Sequence, residues 1–420
     1  MATALLASGL KIARIFGITI RVHASWLLIF FLLVWSLAAH FLPMADLADG
    51  GPWWRGAERA REYQREHPGA TDLEAFGALR NWPTWHYWVL GAVGTLGLFV
   101  CVLAHELSHS LVARANGIPV EGITLFVFGG VSRLKDEART PEVELKVALV
   151  GPLTSIVIAA AFGALYFGFG DWFAEQARAL LFYFAFVNGM LAAFNLLPGF
   201  PLDGGRVLRA ALWKWRGNLR RATATAASIG RGLGAVMIGL GVLMFLMTWA
   251  IGPLWLVFIG MFMRHAAQTS YQQVAIREAL SGLAVRDILQ EEVIWVEPDL
   301  TLERLVDEYF FRYRFRSFPV LEEGWLVGMI SLKDVQGVPR AEWPGTPVRE
   351  VLHRVREENL VRPDDSLVDA FRKMMDEDTG HLPVVEGDRL CGIVTRHDMM
   401  NLIQIKTDLA EAGAAGRNGS

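Results

Sequence analysis

Several uncharged stretches in this chain are long enough to cross the roughly 30 Å hydrocarbon core of a bilayer at about 1.5 Å of helix per residue. Ala24 to Leu42, Trp85 to Ala104, Val147 to Gly170 and Ala179 to Leu202 are four of them. Gly232 to Met263 is too long for one span; Gly252-Pro253 divides it, and a start near Ala226 makes room for a fifth and a sixth helix. Backbone placed in hydrocarbon must satisfy its own polar groups, so such segments become helices. Composition agrees, with 53% of the 420 residues hydrophobic and 20% charged, against about a quarter charged in soluble domains. The expectation is a polytopic α-helical membrane domain of about six transmembrane helices. The first run follows 23 residues of mixed sequence and lacks a small-residue cleavage site, so it reads as a retained helix rather than a secretory signal.

Charge divides the chain in two. Residues 1–280 hold 23 Lys and Arg against 17 Asp and Glu, whereas residues 281–420 hold 17 against 26. An acidic second half offers no basic stripe to displace counterions from phosphates, which argues against nucleic acid as a partner. Cys101 and Cys391, the two cysteines, fall one in each half and make no disulfide framework. Basic residues also set orientation. Lys11, Arg14 and Arg21 precede span one, Arg133, Lys135 and Arg139 follow span two, and six Lys and Arg lie between Arg206 and Arg221 after span four. By the positive-inside rule these face the cytoplasm, and six crossings return the acidic half to the same side. The segment 43–84 is then a mixed-charge outer loop, either a lid or a partner surface, and five Trp lie from Trp53 to Trp88 along it and the start of span two.

Span two ends in Ala104-His105-Glu106-Leu107-Ser108-His109, an H-E-x-x-H pattern. Two imidazoles at i and i+4 share a helix face and can hold one Zn2+, while the glutamate between them can reach a water as general base. Ionisable groups inside a membrane helix cost about 2.5 kcal/mol or more each, which favours a task for them. The plain alternative has His105 and His109 capping the helix end at the headgroups, with Glu106 solvated. A catalytic zinc needs a third protein ligand and an open position. Span four closes on Asn195-Leu196-Leu197-Pro198-Gly199-Phe200-Pro201-Leu202-Asp203-Gly204-Gly205-Arg206, whose prolines and glycines must interrupt the helix. Irregular backbone at membrane depth persists only where protein or a watery cavity surrounds it. Asp203 follows 24 uncharged residues and, by itself, reads as an N-cap for Val207 to Trp215. Spans two and four run in the same direction, however, which puts His105 and Asp203 at one depth. Gly151-Pro152-Leu153-Thr154-Ser155 opens span three at that level with small residues that permit close approach.

Two further patterns stand out. Ile118 to Leu134 is rich in β-branched and aromatic residues. It reads either as a membrane-associated strand or loop that takes an unwound substrate by edge pairing, or as a plain cytoplasmic hairpin. The tail contains a repeat. Val285-Arg286-Asp287-Ile288 recurs as Val348-Arg349-Glu350-Val351, and Phe318-Pro319-Val320 as Leu382-Pro383-Val384. Gly328-Met329-Ile330-Ser331-Leu332-Lys333-Asp334 recurs as Gly392-Ile393-Val394-Thr395-Arg396-His397-Asp398. Each unit mixes helical patterns such as Leu302 to Phe311 with short strands such as Leu326 to Ile330, a compact α/β arrangement. The expected organisation is a membrane domain over 1–270, a linker over 271–284, repeats over 285–340 and 347–404, and a tail over 405–420, with Ala410 to Ser420 frayed.

The His105 to His109 motif, the Asn195 to Arg206 stretch, Gly151-Pro152 and Val22-His23-Ala24-Ser25 together resemble the site-2 protease family of intramembrane zinc metalloproteases. The bacterial branch with a six-helix membrane domain and C-terminal tandem CBS modules is similar over essentially the whole chain. The resemblance implies one Zn2+ held by His105, His109 and Asp203, Glu106 activating the hydrolytic water, and Asn195 contacting the substrate or the developing oxyanion. It implies cleavage within or beside a transmembrane helix of a membrane protein, such as an anti-sigma factor, a transcription factor precursor or a signal-peptide remnant. It also places the chain in a bacterial-type inner membrane, with both termini cytoplasmic. His23 matches a family position, and a histidine at a helix start is more often structural. The CBS pair implies ATP or AMP as a regulatory ligand, with Ser331, Asp334, Thr395 and Asp398 as contacts, and such pairs often form homodimers. Ser or Thr followed by Asp three residues later is equally an N-capping pattern. Two other classes compete: a CBS-regulated transporter or channel, which would spread ionisable groups along a path, and an inactive scaffold, which would lack Glu106 or a ligand.

Overall fold

The computed structural model describes residues 9–71, 74, 78–127, 129–134, 138–354, 360–377, 379–387 and 389–415. Phe128, Lys135 and the tail beyond 415, named above, lie outside the described residues. The chain forms two compact units, Met1–Tyr271 and Gln272–Ser420.

The first unit opens with a hairpin that the sequence reading passed over as mixed sequence. Strands β1 (Leu10–Ile15) and β2 (Ile18–Val22) pair antiparallel about Phe16-Gly17, whose φ angles of 49° and 82° suit a tight hairpin turn. The Ile118 to Leu134 segment supplies β3 (Val120–Phe126) and β4 (Gly129–Leu134). β2 and β3 run parallel, so the sheet has the order β1-β2-β3-β4 with β4 at an edge. Ile18, Ile20, Ile123 and Leu125 are buried on one face beneath Leu103, Leu107 and Leu111, which ties the sheet to the helix carrying His105 and His109.

The helices of this unit are α1 (Ser25–Leu47), α2 (Trp53–Glu66), α3 (Thr84–Ala115), α4 (Pro141–Phe169), α5 (Glu175–Asn195), α6 (Asp203–Arg216), α7 (Leu219–Thr248) and the first part of α8 (Leu254–Leu280), whose residues after Tyr271 belong to the second unit. Five segments among the described residues are long and apolar enough to cross a membrane: Ser25–Leu47, Thr84–Ala115, Pro141–Trp172, Glu175–Asn195 and Leu219–Thr248. The sixth expected span is a helix, α8, but its uncharged run stops at Met263, before Arg264 and His265. That run covers roughly 15 Å, half a hydrocarbon core. α8 lies tightly against α7: a methyl added at Gly234 would come within 2.6 Å of the Gly260 carbonyl oxygen. The segment 43–84 is fastened at its base. Fully buried Asp46 accepts hydrogen bonds from the Asn81 and Trp82 amides and from the Tyr87 hydroxyl at 2.7 Å.

In the second unit the sequence repeat becomes two hairpins. β5 (Ser317–Glu322) pairs with β6 (Trp325–Ser331), β7 (His381–Glu386) with β8 (Arg389–Thr395), and the sheet order is β5-β6-β8-β7. The register slips at Val320/Leu321 and again at Val384/Val385, so the repeat extends to its irregularity. Short α9 (Leu332–Gln336), α10 (Leu367–Asp376) and α11 (Arg396–Ala415) accompany the strands. Each hairpin has its own core, one around Phe318, Val320 and Ile330, the other around Leu382, Val384 and Val394. Residues read as the start of a linker continue α8 to Leu280, and Leu280 is buried in the second of these cores.

Candidate metal centre

His105 and His109 lie on one face of α3, 3% and 4% exposed. The His109 Nδ1 atom is 2.5 Å from the Val147 carbonyl oxygen. A carbonyl only accepts, so Nδ1 carries the hydrogen and Nε2 of the neutral ring presents its lone pair. His105 Nδ1 lies 2.9 Å from the Ser155 hydroxyl, which orients the ring but, able to donate or accept, does not fix its hydrogen. The two Nε2 atoms are 3.1 Å apart, and each is 3.2 Å from Asp203 Oδ2. His105 Nε2, His109 Nε2 and Asp203 Oδ2 thus converge on one point, and with the His109 hydrogen held on Nδ1 the set can offer its lone pairs to a cation. Zinc bonds of 2.0–2.1 Å in a tetrahedron give ligand-to-ligand edges of about 3.3 Å, so the donor set and its spacing both fit. Among the described residues, His105, His109 and Asp203 form the group whose ligand atoms could share an ion.

Three other elements close around this point. A methyl at Gly151 of α4 would overlap His109 Nε2 and come within 2.6 Å of His105 Nε2, so bare backbone is required there. Glu106, on the neighbouring flank of α3, accepts at Oε2 from the Ser132 hydroxyl at 3.1 Å. Ser132 belongs to β4, and a methyl at Gly130 of the same strand would come within 2.5 Å of Glu106 Cγ, so the edge strand runs beside the carboxylate. Asp203 arrives through the interruption after α5. The segment 196–202 is irregular and is pinned to α7 by the Phe200 amide donating to the Ala226 carbonyl at 3.2 Å. α6 begins at Asp203 itself, with Leu202 at the N-cap and no side-chain cap, so the carboxylate is turned to the imidazoles rather than used as the cap that spacing alone suggested.

The remaining sequence candidates fall elsewhere. Asn195 is half-buried at the end of α5 and, among the described residues, makes no hydrogen bond to His105, His109 or Asp203. His23 Nδ1 lies 2.8 Å from the Ser25 hydroxyl and accepts from the Ser25 amide at the start of α1. Asp334 Oδ2 accepts from the Ser331 amide at 2.8 Å and hydroxyl at 2.6 Å, a capping box for α9, and Oδ1 is 2.9 Å from His353 Nδ1. Asp398 Oδ2 likewise accepts from the Thr395 hydroxyl, but here the Asp398 amide donates to Thr395 Oγ1 at 3.2 Å, and Asp398 Oδ1 accepts from Gln290 at 3.0 Å. The sequence reading missed the parts played by Val147, Ser132 and Glu144; of these only Glu144, a carboxylate at the entrance of an apolar run, carried a signal.

Fold and candidate centre together point to a class: a metalloenzyme with a cation site among membrane-length helices and an α/β pair besides. Comparison with known proteins supplies the family. The model of Peptidase family M50 matches residues 93–173 and 167–239, and that of the CBS domain matches 285–339 and 348–405. The chain is 32% identical over 399 residues to the Mycobacterium tuberculosis protein named zinc metalloprotease Rip3, covering 94% of this chain and 93% of that one. It is 31% identical over 328 residues to a zinc metalloprotease of Methanocaldococcus jannaschii, covering 77% and 89%. A solved site-2 protease from the same archaeon is 26% identical, covers 62% of this chain and 94% of its own, and superposes with a TM-score of 0.39. The chain belongs to peptidase family M50, the site-2 protease family, and is a zinc metalloprotease of the membrane with a C-terminal CBS pair.

Proposed function

We propose that this protein is an endopeptidase that cuts a transmembrane or membrane-proximal segment of another membrane protein, with His105, His109 and Asp203 holding one Zn2+ and Glu106 as general base. The reading is carried by the meeting of two Nε2 atoms and one carboxylate oxygen within 3.2 Å, from positions 94 or more residues apart in the case of Asp203. Zinc, when bound there, supplies Lewis acidity toward the scissile carbonyl and the attacking water. Glu106 accepts the proton of that water and delivers it to the leaving amine nitrogen, while Ser132 holds the carboxylate in place. Asn195 directs its side-chain amide to the substrate carbonyl, where negative charge develops. A peptide bond inside a helix is shielded by its own hydrogen bonds, so the substrate must be extended before attack. Edge strand β4, beside Glu106, is placed to receive it by strand pairing. Substrates of this kind are membrane-bound anti-sigma factors, transcription factor precursors and signal-peptide remnants.

The test is co-expression of candidate membrane substrates with the wild type and with Glu106→Gln. The variant should retain about one zinc per chain and lose cleavage by roughly a hundredfold or more. Cleavage at the wild-type rate would remove Glu106 from the mechanism.

Adenine nucleotide, ATP or AMP, is the proposed regulator, bound between the CBS modules through Ser331, Asp334, Thr395 and Asp398. Both aspartates are already engaged, so ribose hydroxyls must take the places of His353 and Gln290. The support is the CBS family match over both repeats. Calorimetric titration with ATP and AMP should give binding that weakens at least tenfold in Asp334→Ala or Asp398→Ala, about the value of one charge-assisted hydrogen bond. No heat of binding in the wild type overturns this part. A homodimer through the CBS modules and an inner-membrane orientation with both termini cytoplasmic belong to the same proposal.

A further inference from the structure

We infer that Glu144 is a positioning residue for the metal centre: its ion pairs with Arg206 and Arg209 fix α6, and with it Asp203, against the face of α4 that orients both imidazoles. The inference rests on the zinc-ligand reading above. Glu144 is 1% exposed in the first turn of α4. Its Oε1 accepts from Arg206 Nε at 3.0 Å and from Arg209 Nη2 at 2.5 Å, and its Oε2 accepts from Arg206 Nη2 at 3.4 Å. Arg206 and Arg209 follow Asp203 by three and six residues on the short helix that Asp203 begins.

On α4, Glu144, Val147, Gly151 and Ser155 recur at intervals of three and four residues and therefore share one face. That face serves all three proposed ligands. The Val147 carbonyl sets His109, Ser155 sets His105, and Gly151 clears the space before both Nε2 atoms. Glu144 completes the set by holding the helix that presents Asp203. Buried ion pairs gain little over well-packed apolar residues in stability, but a two-pronged guanidinium–carboxylate contact fixes direction and rotation in a manner that apolar packing does not. Such a constraint matters where a single carboxylate oxygen must sit 3.2 Å from two nitrogens.

The experiment uses the purified full-length chain as wild type, Glu144→Gln, Arg206→Gln, Arg206→Lys and Asp203→Ala. Zinc affinity is read by competition with a chromophoric chelator, and the rise in Tm on adding zinc is measured against each variant's own metal-free Tm. Glu144→Gln and Arg206→Gln should bind zinc about 10- to 100-fold more weakly. Arg206→Lys should recover part of the loss, and Asp203→Ala should lose more than any of them. A lowered metal-free Tm with undiminished zinc affinity marks Glu144 as merely structural and overturns the inference. Unchanged affinity in Asp203→Ala instead overturns the ligand reading, and the inference with it. Should Glu144→Gln not fold, Arg206→Lys, which keeps the charge but loses the fork, decides alone: wild-type affinity there contradicts the role.

Discussion

The carbonyl of Val147, an acceptor only, keeps the hydrogen of His109 on Nδ1 and so commits Nε2 to whatever lies among the three ligand atoms. Ser155 orients His105 through a hydroxyl, which can donate or accept, on a side chain that can be deleted. Ser155→Ala should weaken zinc binding by about tenfold, measured by chelator competition, and an unchanged constant would show that the hydroxyl does not orient the ring. Gly151 and Gly163 make a matched pair on α4. A methyl at Gly151 meets both imidazoles, whereas at Gly163 its nearest neighbour is Ala185 Cβ at 3.9 Å. Gly151→Ala should therefore abolish zinc retention through purification and Gly163→Ala should leave it intact; equal retention would mean that the wall of the site yields easily. In the second unit, burial holds the His381 imidazole below the ordinary histidine range. The unfolded chain then takes up a proton at higher pH than the folded one, so stability is complete above about pH 6.5 and is lost as pH falls below it. Hydrogen exchange of β7 and β8, corrected for intrinsic rates, should speed up between pH 7 and 5. His381→Asn should remove that dependence, and an identical profile in the variant would assign it to another group.

At the scale of elements, α4 works as a strut whose one face holds two rings and, through α6, a carboxylate. Ser331 caps α9, and Ser331→Ala should cost about 1 kcal/mol in urea unfolding of the second unit. A change within error would mean that the cap contributes nothing there. How much of this was legible follows from where each signal resides. Membrane spans, the H-E-x-x-H pattern, the Pro/Gly interruption before Asp203 and the tail repeat are local in sequence, and each has a physical period or composition. The β1–β2 hairpin is equally local, with Ile18 and Ile20 alternating after Phe16-Gly17. It was passed over because Lys11, Arg14 and Arg21 serve both as the positive flank of span one and as strand residues. The Val147 carbonyl left no trace, since every residue carries one. Glu144 was visible as a charge, but its partner Arg206 is 62 residues away and no pattern links them. Asp203 illustrates the opposite limit: local spacing suggested a cap, and only the shared depth of two spans pointed to its place beside the imidazoles.

At the scale of the molecule, a basic membrane unit and an acidic CBS unit divide the labour between hydrolysis and the proposed regulation. The apolar run of α8 is short, so the sixth crossing that the proposed orientation requires would depend on α7, against which Gly234 and Gly260 let α8 pack. In a background lacking Cys101 and Cys391, a cysteine at Ala250 should react with an impermeant thiol reagent from outside intact cells. A cysteine at Glu291 should react only after permeabilisation. Labelling of both from one side would contradict six crossings, and labelling of both from outside would also move the CBS unit across the membrane. The whole account depends on His105, His109 and Asp203 sharing one metal ion. Zinc-edge X-ray absorption of the purified chain measures that ligand set directly. The account predicts about one zinc per chain, two imidazole nitrogens and oxygen donors at about 2.0–2.1 Å, no sulfur, and the loss of an oxygen donor or of the metal in Asp203→Ala. Protein without zinc that still cleaves, a sulfur-containing shell, or a spectrum untouched by Asp203→Ala would contradict it.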